Sequence, residues 1–448
     1  MSKPSAVRVA EIDYSTRLER LLQRRAIEAA IWGIPLVRFD AMRQAFFRDA
    51  QAIYGDIAYW LEPVDWRLQL AVASTLSNHV YCNFNTRTGP VVIELPPAPG
   101  VRLTGSLVSG WESTLVEVGH EGFDKGRGGK YLVLPPDYGG MVPSRYITVR
   151  SETYNGRALF GLKPSVDGDL SAVIAVVKRM RVYSLMEAVN PPEQRFIDMS
   201  ERLFDGAIRF DDTLFDSLAR MVSEEPMRTC DLVAMSQMYS LGIDKNVPFT
   251  PNRALREILN QSSHEVRAGL INAAATGEFL SPSTHWVKSD AACSGPGLTF
   301  ETANHFGIDE RNVQFFMTFE TPRKRRRPDP CLRAFCDTAG KPLQGGATYR
   351  MTIPAGGLVK QWELAAYDLQ TGCFIRKSAR VAVNSNSAPC RNADGSVDVY
   401  FGPTPVGHEG NWIYTESNRQ WFALFRVYDP ERAIVDNTWV LPDLEKLG

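Results

Sequence analysis

The chain reads as a mainly β protein with a helical insert, of the α+β class. It is expected to hold two antiparallel β-sandwich or jelly-roll-like domains plus N-terminal and central helices. Short apolar runs bounded by Gly and Pro fill two stretches, as strands joined by tight turns do. Apolar residues at helical spacing occupy the stretches before and between them, which argues against a βαβ alternation. The length of 448 residues exceeds what one ordinary core serves and predicts more than one globular unit. The resulting division is an N-terminal helical segment at 1–59, a first β-sandwich at 60–188, a helical region at 189–280 and a second β-sandwich at 281–448.

Taken in order, the first helix opens near Thr16, where Thr16 and Glu19 have capping-box spacing. Leu18, Leu21, Leu22, Ala26, Ala29 and Ala30 form its apolar stripe. Gly33 and Pro35 predict a break or kink, with a second helical stretch over Phe39–Tyr54. Val91–Leu95, Tyr131–Leu134 and Ile147–Val149 read as strands of the first β unit. Helical spacing returns with Phe215, Leu218 and Val222 on one face, and with Leu232, Met235 and Tyr239 nearly so. Thr250 and Pro251 read as a cap and first-turn proline, and Gly277 as a left-handed helix end. The least regular stretch, about 281–337, contains the basic run Arg323–Arg327. Strands follow at Tyr349–Ile353, Leu358–Tyr367, Val397–Phe401 and Trp421–Val427. No short-period repeat is present.

Hydrophobic residues at 44% and aromatics at 10% supply ample material for packed cores. With 51 acidic against 50 basic residues, no net field recruits nucleic acid or anionic lipid, so a charged ligand must be met by a local patch. No run approaches the ~18 apolar residues of a membrane span. The start is charged throughout and lacks the apolar stretch of a secretory signal. The seven cysteines are odd in number and scattered, unlike a disulfide scaffold. A reduced, cytoplasmic protein is expected.

The motifs that carry chemistry elsewhere are incomplete. GHEGFDKGRGGKY at 119–131 ends in Gly129–Lys130 as a phosphate loop would. Asp124 stands where that loop needs Gly, and Tyr131 where it needs Ser or Thr. The simpler reading is a turn-rich connection in which Asp124, Lys125 and Arg127 bond the loop's own backbone. None of the six histidines has zinc-site spacing, and Cys331 and Cys336 lack a second pair. Val108-Ser109-Gly110 follows Leu107 rather than Gly, so it is no nucleophile elbow. Arg323–Arg327 is flanked by proline, has no interleaved aromatics and reads as a solvated loop. His408-Glu409 is half of a general acid/base pair in a Gly/Pro-rich turn, the kind of loop that carries function. Trp362, Tyr367, Trp412 and Trp421 either fill the core of the last sandwich or line a pocket.

Two blocks carry a family resemblance. The first spans Gly89–Leu185 and holds GPVVIELPP, GWE, GHEGFDKGRGGKYLVLPPDY and TYNGRALFGLK. The second spans Gly345–Gly448 and holds GGATYRMTIPAGGLVKQWELAAYD, DGSVDVYFGP, Asn411–Trp412 and LFRVYDPERAIVDNTWVLPDLEKLG. Together they resemble proteins with tandem domains of unknown function 1254 and 1214. The resemblance implies sandwich-type folds for both β units and names no reaction. Many relatives carry an export signal, from which this chain departs. The family's Asp-Thr-Leu-Tyr-like stretch corresponds to the region around Asn78–Asn83. Tyr81 stands for the family tyrosine, while Asn78 and Asn85 replace family carboxylates. Any proton transfer or metal binding by those carboxylates in relatives would be altered or lost here. Glu224-Glu225-Pro226, Gly242-Ile243-Asp244-Lys245 and Pro248-Phe249 resemble the family's helical insert.

Because ligand sites favour domain interfaces, the site is expected where the two sandwiches meet. One side would offer His79, Tyr81, Asn83, Trp111 and Glu112; the other Tyr367, His408, Asn411 and Trp412. His79, Tyr81 and His408 are the candidate acid/base groups. Trp111 and Trp412 would wall the pocket, Asn411 would orient a carbonyl or hydroxyl, and Asn83, Glu112 and Tyr367 would complete the contacts. No metal and no cofactor is expected, since no local ligand cluster is present. The expected partner is a small-molecule ligand or substrate, with no nucleic acid and no membrane; a homo-oligomer is left open. The first functional expectation is a small-molecule enzyme performing hydrolysis or elimination by side-chain acid/base chemistry without a nucleotide. The alternative is a non-catalytic ligand-binding or assembly protein that uses a sandwich cavity.

Overall fold

In the computed structural model of the chain, the described residues are 14–76, 78–165, 170–288, 300–318, 331–355, 361–405, 407–428 and 441–447. The basic run Arg323–Arg327 and Cys293 lie outside them. The protein is mixed α+β, with strands in several mostly antiparallel sheets, none of them closed into a barrel among the described residues. Among the described residues no helix is long and apolar enough to cross a membrane.

Each β unit is built on two facing sheets. In the first, a six-stranded sheet runs in the order 196–198, 57–60, 78–85, 155–164, 101–109, 114–119. It faces a four-stranded sheet in the order 181–184, 91–95, 129–134, 147–150. The core between them joins Val80, Cys82, Phe84 and Phe160 of one sheet to Ile93, Tyr131 and Val133 of the other. In the second unit, a five-stranded sheet (287–288, 331–334, 421–428, 361–368, 382–384) faces a four-stranded one (412–414, 397–402, 349–353, 445–446). Trp362, Leu364 and Phe425 meet Met351, Val399 and Phe401 there. Among the described residues four of the strand pairs are parallel, including 57–60 with 196–198 and 129–134 with 147–150.

Strand side chains alternate between faces, so the larger sheet of each unit has a second face to cover. A shared helical layer covers both. Its members are α1 (Tyr14–Arg48), α3 (Thr213–Glu224), α4 (Leu232–Ser240), α5 (Arg253–Ala275) and α6 (Ile308–Phe316); α2 (Leu170–Val177) packs within the first sandwich instead. One continuous core joins Phe39, Phe215, Leu218 and Leu259 of the helices to Ala58 and Tyr81 of the six-stranded sheet. The same core takes in Ala365, Tyr367 and Leu424 of the five-stranded sheet.

The expected break at Gly33 and Pro35 does not occur: α1 is one helix of 35 residues with Pro35 inside it. Proline has no N–H to give the carbonyl four residues back, which here is Ile31. Asn312 of α6 supplies the missing donor, its Nδ2 lying 2.6 Å from the Ile31 oxygen. Arg311 donates to the next carbonyl, that of Trp32, also at 2.6 Å. Gly33 lets α3 approach, because a Cβ there would stand 2.6 Å from Leu218 Cδ1. The predicted second helix over Phe39–Tyr54 is therefore the end of α1, which stops at Arg48.

Three further readings are corrected. Of the Leu232–Met235–Tyr239 stripe only Met235 packs against the core: Leu232 and Tyr239 are exposed, and α4 buries Ala234 and Met238 instead. Helix α5 is capped by Asn252, whose side chain accepts from Leu255 N at 2.9 Å, rather than by Thr250. It ends at Ala275 with Thr276 as cap, before Gly277. The glycine-rich 119–131 connection closes on Asp124, which accepts from Gly119 N, Gly128 N and the Tyr131 hydroxyl.

The proline device is testable as a double-mutant cycle. Asn312→Ala should lower stability by about 1–3 kcal/mol in urea unfolding, because it leaves the half-buried Ile31 carbonyl without its side-chain donor. In a Pro35→Ala background the restored backbone N–H takes over, and the same change should cost clearly less. Equal losses in both backgrounds would show that Asn312 does not stand in for the proline.

Candidate functional site

The strand Asn78–Asn85 turns Val80, Cys82 and Phe84 into the sandwich core and sends His79, Tyr81 and Asn83 towards the helices. Its neighbour Asn155–Pro164 does the same, with Ala158, Phe160 and Leu162 inward and Arg157 and Leu159 on the helical side. The turn after Val101–Ser109 adds Trp111 and Glu112; Glu112 adopts a left-handed conformation, φ +60°, and is buried. His79, Tyr81, Asn83, Trp111 and Glu112 thus come together under α1 and are all at most 3% exposed.

A guanidinium–carboxylate group that the sequence reading missed sits at their centre. Arg157 forks onto Glu112, Nε to Oε1 at 3.0 Å and Nη2 to Oε2 at 2.5 Å. Arg38 of α1 reaches the same carboxylate, Nη1 to Oε2 at 3.3 Å. All three side chains are almost fully excluded from water. Burial alone would raise the Glu112 pKa, but Arg157 and Arg38 outweigh it and hold the carboxyl below its ordinary value. Glu112 is therefore an anion and no proton donor. Desolvation brings Arg38 down to about 10, with Glu112 acting in the opposite sense. The Tyr81 hydroxyl donates to Asn83 Oδ1 at 3.1 Å, and burial pushes its pKa up. It cannot act as a base near neutral pH.

Beside this group, Trp32 and Trp111 meet edge to face, with ring centroids 4.6 Å apart. Arg228 lies over Trp111 at 4.3 Å and pairs with Asp231 through Nε at 2.7 Å. Arg38 lies over Phe315 of α6 at 5.3 Å. A second polar network continues along the same sheet face. Arg43 and Arg220 share Asp40, and Arg43 also binds Glu224 at 2.5 Å. Asn155 gathers Tyr54, Asn85, Glu224 and Glu225. Asn85, in the place of a family carboxylate, thus donates to another amide.

Tyr367 belongs to the same helical core from the opposite side. Its hydroxyl donates to Ala73 O at 2.6 Å and accepts from Arg426 Nη1 at 3.0 Å. Arg426 also binds Glu363 and the carbonyls of Val72 and Ala73. Glu363 in turn accepts from Thr75 N at 2.7 Å. The second sandwich therefore clamps the 70–76 segment of the first, holding Val72 at a left-handed φ of +44°. A cleft opens beside that clamp, lined by Arg38, Met42, Leu70, Ile208, Phe315 and Thr371 among others. It encloses about 320 Å³ of space between atoms, counting the solvent at its mouth, and its interior admits about one water molecule.

The remaining candidates lie elsewhere. His408 stacks on Tyr400 with centroids 3.6 Å apart. Asn411 bonds to Cys390 and to the Asp398 carbonyl, and Trp412 Nε1 donates to Gly402 O. All three serve the four-stranded sheet of the second sandwich, which the five-stranded sheet separates from the helical layer. Among the described residues no three of His, Cys, Asp and Glu converge as metal ligands, and the six described cysteines are free. Of the missed residues, Arg157 left one signal: a lone charge inside the apolar strand run TYNGRALFGLK.

The profile described as "Protein of unknown function (DUF1254)" matches residues 74–184, and that described as "Protein of unknown function (DUF1214)" matches residues 331–432. The chain thus carries both regions of the family it resembles, in the expected order. No curated protein matches the chain. Among solved structures it is similar to the VPA0106 protein from Vibrio parahaemolyticus, with 14% identity, a TM-score of 0.54, and coverage of 95% of this chain and 100% of that one. An uncharacterised protein from Burkholderia cenocepacia aligns with 11% identity and a TM-score of 0.40 over 97% of this chain and 96% of that one. The first likeness concerns the fold.

The central ion group sets a test of its own. Glu112→Gln leaves two buried guanidiniums without their carboxylate and should cost about 3–5 kcal/mol in chemical unfolding. Because the folded pKa of Glu112 is depressed, its contribution is present above the unfolded carboxyl value and is lost as pH falls through the folded one. Thermal stability of the parent should therefore decline through that acid window by more than that of the variant. A variant with unchanged stability and an unchanged acid profile would contradict this account.

Proposed function

We propose that the protein binds a small anionic molecule, a carboxylate in the first instance, at the cleft between α1, α6 and the clamped 70–76 segment. One observation carries this reading: Arg38, the charged side chain of the cleft lining, belongs to a buried group in which two guanidiniums share one carboxylate. Water cannot screen a guanidinium so deeply buried, so a ligand carboxylate would gain more there than at an exposed arginine. Tyr81, Asn83 and Trp111 stand behind the charge as supporting groups.

The catalytic alternative, hydrolysis or elimination with His79, Tyr81 and His408 as acid/base groups, has less support. General acid/base catalysis needs those groups within reach of one bond. His79 and Tyr81 are sealed under α1, and His408 stacks in a different sheet. Ligand binding without turnover is the reading these positions favour.

The test compares a carboxylate with its neutral isostere. Hexanoate should bind saturably by calorimetry and stabilise the protein, by about 2.7 kcal/mol at a hundredfold excess over Kd; hexanamide should do neither. Arg38→Met keeps Glu112 and Arg157 as a balanced pair, so the variant should fold while losing at least tenfold in hexanoate affinity. Equal binding of acid and amide, or an Arg38→Met variant that binds as the parent does, would overturn the proposal.

A further inference from the structure

The smaller sheet of the second sandwich turns Tyr349, Met351, Val399, Phe401 and Ile413 into the core. Their neighbours along each strand point to the other face. The register sets four of these outward residues side by side: Trp412 pairs with Tyr400, Tyr400 with Arg350, and Arg350 with Glu445. This row crosses all four strands, a span of about 14 Å at the usual spacing between strands. Thr352 and Asp398 pair beside it, the Thr352 hydroxyl donating to Asp398 Oδ1 at 2.5 Å.

The outer face of an antiparallel sheet normally carries polar side chains. Arg350, Glu445, Thr352 and Asp398 follow that rule, whereas Tyr400 and Trp412 do not. Both rings are half-buried, yet they join none of the buried apolar clusters formed by the described residues. The exposed His408 lies parallel to the Tyr400 ring, within 1° and with centroids 3.6 Å apart, so the two make one aromatic slab. Trp412 gives its N–H to the Gly402 carbonyl of the neighbouring strand at 3.0 Å, which lays the indole along the sheet.

The polar half of the face has a definite chemistry. Arg350 Nη2 donates to Glu445 Oε2 at 2.6 Å, and both side chains keep contact with water. The Arg350 pKa is raised, by Glu445 first, with Asp398 and Tyr400 adding to it, so its guanidinium faces all three. One guanidinium beside two carboxylates repels an anionic ligand, nucleic acid included. A guanidinium only donates and a carboxylate only accepts. Side by side they suit neighbouring hydroxyls, one accepting and the next donating. The face of an aromatic ring is negative and attracts the C–H groups of a pyranose. A neutral polyhydroxyl ring matches both halves.

We propose that this face is a carbohydrate-binding surface, on which a neutral oligosaccharide stacks over Trp412 and the His408–Tyr400 pair and hydrogen-bonds to Arg350, Glu445 and Asp398. The five-stranded sheet stands between it and the helical layer that holds the cleft, and neither site depends on the other.

The experiment titrates cellotriose, maltotriose, xylotriose and chitotriose into the full chain by calorimetry. At least one should bind saturably. Trp412→Ala should lower its affinity at least tenfold, and Trp412→Phe, which keeps a ring, should recover part of the loss. Arg350→Met and Glu445→Gln should each weaken binding several-fold with the thermal midpoint little changed. Because those two side chains reach into water, they decide the matter even if Trp412→Ala fails to fold. Absence of binding by every trisaccharide at millimolar concentration would overturn the proposal, as would binding that survives Trp412→Phe, Arg350→Met and Glu445→Gln alike. Tighter binding of polyuridylate than of any sugar would also refute it, by showing a nucleic-acid face. A Trp412→Ala change that shifts the mass in light scattering and leaves sugar binding untouched would assign the face to a second copy of the chain instead.

Discussion

Covering the outer face of a β-sheet with helices removes water from every polar group on that face, and each such group must then find a partner. This protein does so twice, because one helical layer lies over the larger sheet of both sandwiches. The Arg157–Glu112–Arg38 group is the resulting link on the first sandwich, and Arg426–Glu363–Tyr367 with the 72–75 backbone is its counterpart on the second. Both groups join residues from different layers. Their pairing fixes how each sheet sits against the helices, and the cleft lies beside them.

The unequal strength of these two links explains where a ligand would act. Around Arg426 the hydrogen bonds are satisfied by a carboxylate, a hydroxyl and backbone carbonyls, so the clamp is a structural joint. Beneath the helices of the first sandwich, by contrast, Asn83 Nδ2, Trp111 Nε1 and Arg311 Nε are buried without a hydrogen-bond partner. A fully paired buried network mainly rigidifies, whereas a donor surplus leaves free energy for an incoming acceptor to release. The helix α6 stands at that boundary, since Asn312 and Arg311 hold it to α1 at the carbonyls around the Pro35 irregularity.

The fold class was legible because strand and helix leave different periods in the sequence. The strand Asn78–Asn85 shows this from His79 on: Val80, Cys82 and Phe84 are apolar and enter the sandwich core, while His79, Tyr81, Asn83 and Asn85 alternate with them, as a strand between two layers requires. His79, Tyr81 and Asn83 were singled out by their place in the family resemblance, and the alternation puts them on one face. It does not say whether a polar residue on the second face meets solvent, substrate or another buried charge. Arg38 and Glu112 are 74 positions apart and Arg157 a further 45, so no local pattern announces their meeting. Pro35 carried a clear local signal for a break, yet the compensating Asn312 lies in the stretch that reads as least regular. His408, Asn411 and Trp412 were chosen for versatile chemistry near a turn. Versatile side chains equally make good caps, and Asn411 spends its amide on Cys390 and Asp398.

The buried guanidiniums also constrain the helical layer as a stable arrangement. Removing Arg38 would leave Glu112 its fork with Arg157, and replacing a buried ionic group by a well-packed apolar side chain is often neutral for stability. Its retention against that simpler solution is hard to derive from folding. Arg311, for its part, ties α6 to α1 through Trp32 while its Nε is buried without a partner. A guanidinium as deeply buried as Arg38 at the edge of a cleft makes physical sense as a receptor for charge brought from outside. A ligand acid would then add to the charge that Glu112 already sets against Arg38, and its binding would stabilise the junction of the two sandwiches as a whole.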